Sequence, residues 1–139
     1  IAYLNAALAD FVQEHPKVEL DVDLSDATVD LTGGGYDLAI RIGQLPDSAL
    51  IARRIAPVRK VVVASPTYLA RRGRPATPAD LADHDILLYS GENWRFRSGD
   101  GWETPRIHPI LRSNSGDMLR TAAEEGLGLC LLVTLSDVN

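Results

Sequence analysis

The stretch Asp37-Leu38-Ala39-Ile40-Arg41-Ile42-Gly43 follows the glycine run Gly33, Gly34 and Gly35 and leads into Leu45-Pro46-Asp47-Ser48-Ala49-Leu50-Ile51-Ala52-Arg53-Arg54. Read locally, it is a helix stop, a short buried strand and a loop. Glycine supplies the positive φ with which a chain leaves a helix. The apolar residues after Asp37 then fit a strand over 37–42. Arg41 interrupts that strand, either as a clamp for a ligand or as a salt-bridged residue at a sheet edge.

Upstream, Ile1, Leu4, Leu8, Phe11 and Val12 recur at helical spacing, and Pro16 stops the helix. Val18, Leu20, Val22 and Leu24 then alternate with Glu19, Asp21 and Asp23, the pattern of a strand with one buried face. Ser25 and Asp26 offer a cap for a short helix reaching about Thr32. Downstream, residues 50–55 read as a strand broken by Pro57, and residues 60–64 as a β-branched buried strand. Ser65-Pro66 is an N-cap followed by proline at the first helical position, and that helix runs to about Arg72. Thr77-Pro78 repeats the start signal for a short helix. Residues 85–89 read as a strand, residues 94–104 as a hairpin and residues 107–112 as extended chain. Ser115 caps a helix over 116–125, Gly126 and Gly128 end it, and residues 129–133 form a last strand. Strands alternating with helices imply an α/β fold.

The chain has 139 residues, 45% of them apolar, enough for one ordinary domain or two small lobes. Its net charge of −5 argues against a phosphate-gripping surface, because neutralising phosphates supplies much of DNA affinity. The basic cluster Arg71, Arg72 and Arg74 suits a helix C-terminus. Cys130 is the single cysteine and lies in an apolar run, so a disulfide framework is excluded and a buried, inert thiol is expected. No apolar run approaches the roughly 18 residues that a membrane helix needs. Cytoplasmic residence is compatible with all of this.

Catalytic and cofactor motifs are missing. His15, His84 and His108 are scattered, and His84 between Asp83 and Asp85 reads as an exposed loop residue. There is no G-x-S-x-G elbow, no Walker loop and no H-E-x-x-H pair. Gly126-Leu127-Gly128 follows a helix instead of opening one and lacks a third glycine. The expectation is therefore no enzyme, no cofactor and no metal. Ligand-binding features are better represented. Ser25-Asp26, Ser65 and Asn114-Ser115-Gly116 each stand between a strand and a helix, where small ligands bind in open α/β sheets. Each is also an ordinary helix cap.

Taken in order, several motifs resemble the effector-binding domain of LysR-type transcriptional regulators. They are F-x-x-x-H-P-x-V-x-L at 11–20, Leu24-Ser25-Asp26, Tyr36 through Gly43, and Ala64-Ser65-Pro66-Thr67-Tyr68-Leu69. Residues 77–85, Trp94-Arg95-Phe96 and Gly126-Leu127-Gly128 complete the series. The run "RIGQLPDSAL" and the "LLYSG…WRF" pair look closest to the CrgA-like subgroup. The resemblance implies a periplasmic-binding-protein type II-like fold, two α/β lobes around a cleft. Lobe I would be residues 1–58 with 133–139 returning to it, and lobe II residues 59–132. Crossovers are expected near 57–61 and 131–134. It implies a chain truncated at both ends, without the N-terminal helix-turn-helix, the first strand of lobe I and most of the C-terminal return.

By the same resemblance, Ser25, Asp26, Arg41, Ile42 and Gly43 would face the cleft from lobe I, and Ser65, Asn114, Ser115 and Gly116 from lobe II. The expected ligand is a small effector, anionic or oxygen-rich. A homodimer or higher homo-oligomer is expected, with the first helix packed on the partner's helix near 116–125. DNA would be bound only through the helix-turn-helix, and no membrane is involved. A solute-binding protein of a transporter shares the fold and is the main alternative; a metabolic enzyme on a related scaffold is a third reading.

Overall fold

The computed structural model describes residues 2–25, 31, 33–43, 45 and 50–135. The chain divides into two compact units, Ile1–Asp30 and Leu31–Asn139.

In the first unit, α1 spans Ala2–Glu14. Leu4 and Leu8 of its stripe are half-buried, while Phe11 and Val12 are exposed. The helix ends at Glu14, just before Pro16 as expected, with the His15 ring 4.5 Å from that of Phe11. The strand expected over 18–24 does not form. A strand is held by hydrogen bonds to a neighbouring strand, and none of the described strands pairs with these residues. Val18, Leu20, Val22 and Leu24 are all exposed. Most of the short helix expected after Ser25 falls outside the described residues.

In the second unit, the stretches 37–42 and 50–55, expected as strands, likewise form no strand. Leu38, Ile40 and Ile42 are 71%, 48% and 63% exposed. Of the glycine run, Gly35 adopts positive φ, at 75°.

From residue 58 onward the pattern closes into a layered core. Strand β1 covers Val58–Val63, helix α2 Pro66–Arg72 and β2 Asp85–Tyr89. The hairpin strands are β3, Phe96–Ser98, and β4, Gly101–Glu103. Then come β5, His108–Ser113, helix α3, Gly116–Glu124, and β6, Leu129–Leu135. The main sheet has the order β1-β6-β2-β5. Strand β2 is parallel to β5 and β6, whereas β1 runs antiparallel to β6. The two segments expected to be crossovers are therefore neighbours, with Val58 opposite Leu135 and Val61 opposite Leu132.

Alternation along each strand builds one layer on each face. Ile86, Leu88 and Leu129 pack with Tyr68, Leu81 and Trp94 on one side. Leu87 and Cys130 pack with Leu119, Ala122 and Ala123 of α3 on the other. The unbroken run Ile86-Leu87-Leu88 is what a strand covered on both faces requires. Cys130 is fully buried, which pushes its thiol up to about 11 and keeps it from ionising. Gly128 is required where β6 starts against β2, since a Cβ there would meet the Asp85 carbonyl oxygen at 2.4 Å.

His84 corrects the sequence reading. It is 8% exposed, not a surface loop residue. The Tyr68 hydroxyl accepts the Asp85 N–H at 2.9 Å and lies 3.1 Å from His84 Nδ1. The aspartates on either side suggested a wet loop; a tyrosine from α2 covers the imidazole instead.

Candidate binding site

The polar groups gather where β2 and β5 end. The turn after β2 brings Ser90, whose N–H donates to the Ser113 carbonyl at 2.9 Å, and Gly91, at φ 78°. Glu92 follows, and its carboxylate pairs with Lys60 of β1. The Lys60 side chain is exposed and that of Glu92 largely buried. Strand β5 ends in Ser113, and α3 begins three residues later at Gly116.

Asn114, Ser115 and Gly116 occupy this end of the sheet, and all three are exposed. Ser115 is the N-cap of α3: its hydroxyl accepts the Met118 N–H at 3.3 Å, and its own N–H donates to Ser113 Oγ at 3.0 Å. A Cβ on Gly116 would meet nothing within 4 Å, so the approach to the helix end is open. The first-turn N–H groups of α3 favour a negative or oxygen-rich ligand here. Asp117, in the first turn, opposes it with its own charge.

Ser65 lies elsewhere. It caps α2 by accepting the Tyr68 N–H at 3.2 Å. Because β1 runs against the other strands, Ser65 falls at the opposite end of the sheet and beside its other edge. Val63 is level with Cys130 and Leu87, whereas Ser113 is level with Tyr89. From strand spacing, Ser65 and Ser115 are separated by roughly 20 Å, too far for one small molecule. Ser65 is also close to Gly126, whose Cβ would lie 3.3 Å from its hydroxyl. Arg41, Ile42 and Gly43 sit in the exposed segment before β1, with Gly43 at φ 131°. Ser25 is exposed and belongs to the first unit, and Asp26 lies outside the described residues. Sequence reasoning missed Lys60 and Glu92. The one available signal was a lysine inside a valine-rich strand.

Among the described residues no group of His, Cys, Asp or Glu could hold a metal ion. No described helix is long and apolar enough to cross a membrane.

The comparisons with known proteins agree with one another. A family model, the LysR substrate binding domain, matches residues 2–136. An uncharacterised HTH-type transcriptional regulator of Haemophilus influenzae is 36% identical over 136 residues, covering 95% of this chain and 47% of that protein. The HTH-type regulator CrgA of Neisseria meningitidis is 33% identical over 137 residues, covering 95% of this chain and 46% of CrgA. The chain thus spans about half the length of the curated relatives it matches. Among solved structures, the CrgA regulatory domain superposes with a TM-score of 0.79 at 31% identity, over 94% of this chain and 65% of that one. The regulatory domain of AphB from Vibrio vulnificus gives a TM-score of 0.74 at 30% identity, over 91% and 65%. These neighbours bear out the periplasmic-binding-protein type II-like α/β fold, and relatives that are transcriptional regulators leave the transporter alternative without support. The chain belongs to the LysR substrate-binding domain family.

Proposed function

We propose that this chain is the effector-sensing part of a LysR-type transcriptional regulator. Residues 59–132 act as lobe II, and residues 1–58 with the returning 133–139 as lobe I. A small anionic or oxygen-rich molecule sits between them, over the N-terminus of α3, without enzymatic turnover. The full regulator works in the cytoplasm as a homodimer or higher homo-oligomer and holds DNA through its helix-turn-helix. The observation that carries this reading is the family match over residues 2–136, joined to an open, capped helix end at the carboxyl ends of parallel strands. Adjacency of β1 and β6 supports their role as a two-stranded hinge. An effector that prefers one lobe orientation shifts the population toward it by its differential affinity alone.

The test is a thermal-shift screen of the full-length regulator against carboxylates, phenolics and amino acids, repeated on Ser115→Ala and Arg41→Ala. A ligand at about a hundred times its Kd adds about 2.7 kcal/mol of stability. The readout is the ligand-induced shift, because Ser115→Ala also removes a cap worth ~1 kcal/mol without ligand. The expected result is a shift lost in both variants. A shift fully retained in both would remove Arg41 and Ser115 from the site.

A further inference from the structure

The hairpin formed by β3 and β4 has one face in the core and one in water. Trp94, 1% exposed, and Phe96 point inward and meet edge-on, with ring centres 6.4 Å apart. Arg95 and Arg97 alternate with them and point outward. Arg97 is directly opposite Trp102 in the β-ladder. The Trp102 indole is 60% exposed, with the Arg95 guanidinium 5.3 Å and the Arg97 guanidinium 5.9 Å from its ring centre. Neither arginine has a carboxylate within 4.0 Å among the described residues. Glu103 pairs with Phe96 and so belongs to the other face.

We infer that this outward face of the hairpin is a docking site for an extended, carboxylate-bearing segment of a partner protein. The stacking that holds the guanidiniums beside the indole costs nothing on binding, since it already exists in the free protein. Tryptophan and arginine are the residues that most often dominate a protein interface. Arg95 and Arg97 are two residues apart in sequence, a Cα spacing of about 7 Å in extended chain, the spacing at which alternate side chains of another extended chain repeat. Acidic residues at alternate positions of such a segment face both arginines, and their own methylenes lie along the indole between the guanidiniums. Duplex DNA is the weaker candidate, because the chain carries a net charge of −5 and two arginines alone do not offset it.

The test uses the full-length regulator and short fluorescein-labelled peptides that alternate Val with Glu or Val with Gln, read by anisotropy. The Glu peptide is expected to bind and the Gln peptide not to. Arg95→Ala with Arg97→Ala weakens the Glu peptide roughly tenfold, and Arg95→Lys with Arg97→Lys weakens it less. Trp102→Ala weakens it more than Trp102→Phe. All these positions are exposed, and the effector-induced thermal shift stays intact in each variant, which separates this site from the effector site. Equal binding of the two peptides, absence of binding, or an unchanged affinity in the Arg-to-Ala double variant overturns the proposal. A double variant that loses affinity for duplex DNA reassigns the face to phosphates, and one that changes sedimentation reassigns it to a second copy; either result also overturns it.

Discussion

Residues 85–89 and residues 37–42 read alike in the sequence, as short apolar strands, yet they end in opposite states. Ile86, Leu87 and Leu88 are 0–3% exposed; Leu38, Ile40 and Ile42 are 48–71% exposed. The difference lies in their neighbours. Strand β2 is paired by β5 and β6 on its edges and covered by α2 and α3 on its faces. Residues 37–42 have no strand beside them among the described residues. Apolar alternation states which face wants burial, and only an adjoining edge turns that preference into structure.

The largest way to break this comparison is truncation. Leu87→Ala is expected to cost about 2–5 kcal/mol through the cavity it leaves. In the same 139-residue chain, Ile42→Ala stays within about 0.5 kcal/mol. Urea denaturation midpoints of the two variants decide it; a large loss for Ile42→Ala shows that residues 37–42 are covered in solution.

Next in size is Tyr68→Phe. Without the hydroxyl, the part-buried Asp85 N–H and the buried His84 Nδ1 lose their common partner, a cost of about 1–3 kcal/mol. The same urea midpoints measure it, and no loss would mean that water replaces the hydroxyl.

The smallest effect is electrostatic. The Asp80 carboxylate accepts the Thr77 N–H at 2.7 Å and the Ala76 N–H at 2.9 Å, and these bonds hold its pKa below the ordinary carboxylate value. A lowered pKa in the folded state stabilises above the unfolded value and is lost as pH falls through the folded one. Asp80→Asn is therefore expected to lower the melting temperature at about pH 7, with the gap narrowing toward about pH 3. A gap independent of pH would assign the effect to geometry and not to charge.

Legibility in the sequence follows the same divide. Helix α2, strand β2 and helix α3 fall within a residue of their expected bounds, because each carries both a cap or turn signal and an apolar face that finds a partner. The candidate site was harder. Ser65 and Ser115 share one signature, a serine between strand and helix, and both cap helices as expected. Nothing local records that β1 runs against its neighbours, so the two serines looked equivalent when they stand at opposite ends of the sheet. Lys60 and Glu92 are 32 residues apart, and their meeting is a product of sheet order. His84 was misread because its cover comes from Tyr68, 16 residues earlier.

The pairing of β1 with β6 has one more consequence. Val58 and Leu135 are opposite each other, so everything from 58 to 135 is a closed excursion that returns to its starting point. Partners across an antiparallel ladder have Cα atoms about 5 Å apart, a gap that a short turn can bridge. The two ends of the segment are therefore close enough for a short linker to join them across the ladder.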